Sequence, residues 1–366
     1  MTHSSTPIGT WAADNYETVA ALGDNMPTGV TVSDQGRVFV SFPRWGDKVP
    51  FTVAEIVDGT PVPYPYPDPD VNKWTGAEDP HDQLVSVQSV VVDPVGRLWL
   101  LDTGAPSFGP VIPGGAKLVE VDLETDRIVR VIRPTEAMTP TTYLNDVRFD
   151  LSRGRAGFAY LTDSQAVGAL IVIDLATGES WARLRGHTST QATDQFRAIV
   201  QGVVRTGYTV GADGIALSPD GNLLYYCPLS SRRLYSVCTD VLRDRGVDDD
   251  AVAEHVTDHG DKGASDGLEM DTEGTLYATA WEHSAVVKRS PEGGWNTVLH
   301  GRELLWPDSL ALSSDGYLYV SINQLPRSPL FNDAEDRVPP HRIVRTRVGA
   351  GPVRLAPAIP RTGTSN

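Results

Sequence analysis

IALSPDGNLLYYC, residues Ile215–Cys227, sets apolar and alternating residues on both sides of a Ser-Pro-Asp-Gly reversal. A period-two apolar pattern broken by a turn whose glycine supplies a positive φ is the signature of two strands paired through a tight turn. The same unit recurs as VTVSDQGRVFVS from Val30, VVVDPVGRLWLLD from Val90, VRFDLSRGRAGFAYLTD from Val147, LEMDTEGTLYATA from Leu268 and LALSSDGYLYVS from Leu310. The turn glycines Gly36, Gly96, Gly154, Gly221, Gly274 and Gly316 lie 42 to 67 residues apart, an interval that leaves room for two more strands per unit. Candidate outer strands fill it: KLVEVDLETDRIVRVI from Lys117, ALIVIDLATGESWARL from Ala169, RRLYSV from Arg232, AVVKRS from Ala285 and HRIVRTRV from His341.

A lone hairpin cannot bury both faces, so a repeat of this period implies stacked units rather than separate domains. The expected fold is all-β: a six-bladed β-propeller with four-stranded antiparallel blades around a central channel. Residues 1–366 read as one domain, with 1–16 as an N-terminal tail and 349–366 as a C-terminal tail. Strands from both termini, Glu17 to Leu22 and His341 to Val348, are the candidates for closing the ring. Three long excursions stand outside the repeat: Val62 to Gln83, Gly186 to Tyr208 and Thr239 to His259. The last is expected to carry short helices with Thr239 and Asp248 as N-cap residues.

The formal charge of -16 argues against nucleic acid, which needs a basic patch to displace counterions, and no basic run is visible. No stretch approaches the roughly 18 apolar residues of a membrane span, and the N-terminus lacks a secretory pattern. The expectation is a cytoplasmic protein. Cys227 and Cys238 fall at opposite ends of adjacent strands and are expected as free thiols.

In a propeller the innermost strand of every blade starts at one mouth of the channel, and the next strand returns to it. Residues before the inner strands therefore converge: Thr28, Gln88, Asn145, Asp213, Asp266 and Asp308. A second set follows the returning strands: Arg44, Trp45, Asp102, Asp163, Trp281, Glu282, His283, Asn323 and Gln324. Carboxylates gathered at one axis repel unless one is protonated or neutralised, and such clusters are candidates for acid/base work. Each acid could equally form a local Asx-turn. Trp45 and Trp281 are candidates to stack on a flat ligand, whereas Trp99 and Trp306 read as packing. His283 is the best-placed imidazole for proton transfer. The turns themselves lack the spaced oxygens of a calcium loop and read as structural. No HExxH, paired-cysteine or dinucleotide motif occurs.

LVSVQSVVVDPVGRLWLLDTG from Leu84, AYLTDSQAVGALIVIDLATGESW from Ala159, GADGIALSPDGNLLYYCPLSSRRLYSV from Gly211 and WPDSLALSSDGYLYVSINQL from Trp306 resemble the yellow and major royal jelly protein family. The resemblance runs roughly from Met26 to Arg347. It implies a six-bladed propeller, and a family that includes dopachrome-converting enzymes, binders of biogenic amines and secreted structural proteins. A more distant similarity to calcium-dependent propeller lactonases implies a metal at the channel mouth held by Asn145, Asp213 and Asp266, with Thr28 where that group has Glu.

The expected function is acid/base chemistry on a small aromatic or quinonoid metabolite, of tautomerase, decarboxylase or cyclase type, in secondary metabolism. Asp213, Asp266 or Asp308 would be the base, with Asn145 or His283 at a carbonyl oxygen. Thr28, Gln88, Arg44, Trp45, Trp281 and Asn323 would bind substrate. No cofactor is required in this reading. A calcium-assisted lactonase or esterase and a non-catalytic binder of an amine or aromatic ligand stay open as alternatives. Partners are expected to be small molecules, not nucleic acid or membrane, and the sequence leaves the oligomeric state open.

Overall fold

The computed structural model of the chain describes residues 15–332 and 334–357. Six four-stranded antiparallel sheets are arranged as blades. The innermost strands are Val30–Val32, Val87–Val92, Leu144–Asp150, Ala212–Leu217, Leu268–Met270 and Pro307–Leu312. Each lies against the next, and the sixth lies against the first, so the ring is closed. The returning second strands are Val38–Ser41, Leu98–Asp102, Phe158–Asp163, Leu223–Pro228, Leu276–Ala280 and Tyr317–Ile322. Blade 6 takes its third strand, Arg342–Arg347, from the C-terminal part of the chain and its outermost strand, Glu17–Ala21, from the N-terminal part. The chain is therefore a six-bladed β-propeller closed by both ends of the sequence.

The six turn glycines all have positive φ, from 64° at Gly154 to 86° at Gly96 and Gly316. The residue opening the turn also holds it. Asp93 accepts the amides of Val95 and Arg97 through one oxygen and the Trp99 indole N–H through the other. Asp271 accepts from Glu273, Thr275 and the Tyr277 hydroxyl. These acids are occupied in shaping their own turns.

The apolar core is divided into six wedges, each between consecutive blades. Phe39, Val53 and Tyr64 of blade 1 meet Val90, Leu98 and Leu100 of blade 2; Tyr160 and Val172 of blade 3 meet Ile215 and Tyr226 of blade 4. A seventh, aromatic cluster stands apart from these wedges, beside the residues that precede the inner strands.

Two details differ from expectation. Thr239 is the first residue of the helix Thr239–Arg243 rather than its N-cap; its hydroxyl donates to the Gly221 carbonyl at 2.6 Å. Asp248 does cap the helix Asp249–Ala253, accepting from the Ala251 amide. Residues 351–355, expected within a C-terminal tail, pack back across the mouth that carries the turns. Gly351 accepts from the Thr272 amide in blade 5, Leu355 accepts from the Leu151 amide at 2.7 Å in blade 3, and the Leu355 side chain is buried against blades 3 and 4. Residues 1–14 and 358–366 of the two expected tails lie outside the described residues. Cys227 and Cys238 are free, and register pairs Cys238 with Leu223 at the far end of the strand from Cys227.

Blade-to-blade approach is closest where each inner strand begins. A Cβ on Gly214 would stand 2.1 Å from the Asp266 carbonyl oxygen, and one on Gly267 would stand 2.5 Å from that of Asp308. Gly214→Ala must push backbone against backbone, so it should lower the urea unfolding free energy by about 1–3 kcal/mol. An unchanged unfolding midpoint would show that the seam has slack.

Candidate functional site

The ring of polar residues is built by strand irregularity. Register shifts fall between Val87 and Ser89, Leu144 and Val147, Ala212 and Ile215, and Pro307 and Leu310. The residues passed over are Gln88, Asn145 with Asp146, Asp213 with Gly214, and Asp308 with Ser309. Bulges re-aim side chains, here at the start of four inner strands. Thr28 and Asp266 stand just ahead of the first paired residue in the other two blades. All six ring residues are buried.

Hydrogen bonds tie them together. The Asn145 Nδ2 donates to Asp213 Oδ1 at 2.5 Å, Trp306 Nε1 to Asp266 Oδ2 at 2.7 Å, and Asn323 Nδ2 to Asp308 Oδ2 at 2.6 Å. On the other side, Trp45 Nε1 donates to the Tyr143 hydroxyl at 2.6 Å, which donates to Gln88 Oε1 at 3.0 Å. Thr28 is committed to the backbone, its hydroxyl donating to the Gln88 carbonyl at 2.7 Å.

Burial and mutual repulsion shift these acids strongly. Burial pushes Asp213 well above the usual carboxylate range, and the neighbouring Asp266 carboxylate, which is hydrogen-bonded to it, adds to the rise. Burial also lifts Asp308, again with Asp266 contributing. Asp266 is pushed up by burial only to about 6, because the Trp306 N–H and Asp213 both stabilise its anion. Both acids of this buried pair are thus biased toward the neutral form, Asp266 less than Asp213 because the Trp306 N–H stabilises its anion. Buried Asp146, bonded to the Ser89 hydroxyl at 2.9 Å, and buried Lys262, whose ammonium is disfavoured by desolvation, complete the local charges.

An aromatic cover lies over this pair. Trp281 stacks on Trp306 with centroids 4.2 Å apart, Tyr208 packs on both at 5.8 and 6.0 Å, and Phe331 stacks on Tyr208 at 4.9 Å. Phe108 stacks on Trp45 at 4.9 Å and lies 5.2 Å from Tyr143. Trp45 and Trp281 are thus stacked within the protein, not presented with free faces. The Trp281 indole N–H and the Tyr208 hydroxyl are both buried in this cluster with no protein partner.

Two expected site residues point elsewhere. Arg44 donates to the Leu84 and Val85 carbonyls, so it fastens the loop entering blade 2 and does not reach the ring. His283 is exposed and lines an outer cleft. Asp102 and Asp163 cap backbone: Asp102 accepts the amides of Val85 and Ser86, and Asp163 that of Tyr143. Glu282 accepts from the Ile199 amide and pairs with Arg232. Gln324 accepts from the Val338 amide and donates to its carbonyl. Tyr143, Trp306 and Lys262 were missed. The only sequence signal for Tyr143 is its place two residues before Asn145; Lys262 has none.

Residues 85–348 match the model of the family described as major royal jelly protein. The chain belongs to that family. It is 32% identical to protein yellow of Drosophila subobscura over 256 residues, 66% of this chain and 44% of that protein. To protein yellow of Drosophila melanogaster it is 31% identical over 252 residues, 64% of this chain and 46% of that protein. The match thus spans less than half the length of these relatives. Among solved structures, a streptogramin B lyase aligns with a TM-score of 0.53 at 12% identity over 92% of this chain and 99% of that one. A gluconolactonase from Xanthomonas campestris aligns with a TM-score of 0.54 at 11% identity over 92% and 91%. At such identities these likenesses describe the fold.

The distant lactonase similarity implies calcium, and in this royal jelly family member the donor set does not fit it. Asn145 and Asn323 turn amide N–H groups toward Asp213 and Asp308, the Trp306 N–H sits on Asp266, and Thr28 supplies no carboxylate. Among the described residues, no group of three or more His, Cys, Asp or Glu side chains is placed to hold a metal ion.

A carboxyl whose folded pKa exceeds its unfolded value binds extra protons on folding between the two values, so it lowers stability as pH rises through that window. For Asp266 the window runs from about 3.9 to about 6. Asp266→Asn removes this loss, so the variant should gain on the wild type by on the order of 1–3 kcal/mol between the low and high ends of the window. Urea titrations near pH 4 and pH 7 read the difference; a pH-independent offset would mean that Asp266 is not elevated.

Proposed function

We propose that the chain is an enzyme that rearranges a small aromatic or quinonoid metabolite by proton transfer at the Asp213–Asp266 pair, as an isomerase or lyase. The observation that carries the reading is that pair: two buried, interacting carboxyls, of which Asp266 has its anion stabilised by the Trp306 N–H while burial and like charge raise Asp213. Two titratable groups whose surroundings push their pKa values apart are what acid/base chemistry uses. The buried, unpartnered Trp281 N–H and Tyr208 hydroxyl support it too, since an aromatic ligand carrying oxygens would satisfy both. The ligand would reach the ring as the outer part of the cover, Tyr208 and Phe331, moves aside.

In the tautomerase version, Asp266 removes a proton from the carbon next to a carbonyl. The C–H electron pair becomes the new C=C bond, the carbonyl π electrons move to oxygen, and Asp213 delivers its proton there. Asp266 then holds the proton and Asp213 is the anion. Transfer across their hydrogen bond restores the starting state, so no external reagent is consumed. Acid/base groups of this kind contribute roughly 10²- to 10⁴-fold.

The test is turnover of candidate hydroxyindole and quinone metabolites followed by product analysis. Asp266→Asn should reduce kcat by about 10²-fold or more, with ligand binding retained. The wild-type rate should rise with pH through about 6 as Asp266 ionises, and a chelator should leave it unchanged. Loss of activity on chelation would sink the metal-independent route. Binding without product by the wild type would make the ring a carrier site.

A further inference from the structure

The structure gathers a basic cleft that is scattered in the sequence. Five segments meet at the rim of the mouth that holds the ring: the hairpin Ala198–Val200 with Val203–Arg205, the turn into blade 4's third strand, the turn Trp281–His283, the loop entering blade 6, and the turn Leu325–Arg327. Between them lies a cleft of about 1030 Å³, the size that takes a small organic molecule. Its walls carry Arg197, Arg232, Arg302, Arg327, His283 and His300. Among the described residues the only carboxylate lining it is Glu282, and that group is spent on Arg232 at 2.6 Å and on the Ile199 amide at 2.7 Å.

Among the described residues, neither Arg197, Arg302 nor Arg327 takes part in an ion pair, and Arg327 has only a long contact to Gln324 at 3.4 Å. The chain as a whole is acidic, with 47 Asp and Glu against 31 Lys and Arg. Three arginines without a carboxylate partner, facing one concavity, leave a local positive potential on this acidic protein. A cleft with walls of one sign concentrates that field. Guanidinium groups present planar forks of donors that match phosphate and carboxylate oxygens two at a time. The exposed Ile199 adds an apolar patch to the wall.

We infer that this cleft is a binding site for a multiply charged oxyanion, the phosphate or carboxylate groups of a small metabolite, held by Arg197, Arg302 and Arg327. The site is separate from the acid/base pair. Its wall includes Glu282 and His283, which directly follow Trp281 of the aromatic cover, so the two sites share a turn but no ligand-contacting residue. The inference does not rest on the proposed reaction.

Isothermal titration of the full chain at low salt with inorganic pyrophosphate and, separately, with citrate tests it. At least one should bind saturably, pyrophosphate alone indicating a phosphate ligand and citrate alone a carboxylate one. Arg302→Ala with Arg327→Ala should weaken that binding by about tenfold or more. The single Arg302→Glu, at an exposed position, should do the same without touching half-buried Arg327. Arg155→Ala, an exposed arginine on the turn mouth, should bind as the wild type does. The inference is overturned if neither oxyanion binds the wild type saturably, if Arg302→Glu binds as well as the wild type, or if Arg155→Ala loses as much. None of these results bears on Asp266.

Discussion

Everything in this protein depends on the seam where one blade's inner strand starts against the next. There the backbones approach too closely for a side chain, which is why Gly214 and Gly267 are glycines. The same seam is stitched by hydroxyls reaching across it: Ser41 donates to the Gln88 carbonyl, Thr162 to that of Asp213 and Ser321 to that of Thr28. Buried carbonyls that the blades' own ladders leave unpaired are satisfied by the neighbouring blade. The carbonyls so used belong to the ring residues. Interblade cohesion and the placement of the polar side chains are therefore one construction, and a blade cannot shift without moving a member of the ring.

This construction also explains how an electrostatically unfavourable group of acids survives. Asp213, Asp266 and Asp308 are buried near one axis, where desolvation and like charge both oppose ionisation. Their donors come from different distances in sequence, Asn145 from the preceding blade, Trp306 from the loop entering blade 6 and Asn323 from the strand end beside Asp308. Each donor is itself held by packing or backbone bonds; Asn323, for example, accepts the Leu325 amide. Rigid donors favour one protonation pattern over its alternatives, so a cluster that could be merely strained becomes polarised.

The architecture was legible because hairpin periodicity is local. Six turn glycines and their flanking apolar residues are enough to count blades, and strand polarity then places Asn145, Asp213, Asp266 and Asp308 at one mouth. What the sequence could not give was the direction of side chains after the returning strands. Arg44, His283 and Asn323 all follow returning strands, yet of the three only Asn323 turns inward, because loop conformation and not topology decides it. Trp306 read as packing, and it does pack, but its one polar atom meets Asp266. The basic cleft was invisible for the same reason as Lys262: its residues come from separate blades, so no composition window contains them.

The joining of Glu17–Ala21 to Arg342–Arg347 has a consequence for how the molecule comes into being. Glu17 and Arg345 are bonded across 328 residues, so blade 6 cannot be finished until Arg345 has left the ribosome. Pairings of such separation form late, since the closure entropy of the intervening chain must be met first. Blades 1 to 5 can assemble as an open arc, with Asp213 and Asp266 already adjacent. Asp308, Trp306 and Asn323 belong to the unit that seals it. The N–H that stabilises the Asp266 anion thus arrives only with closure, and the polarised pair is a property of the completed circle.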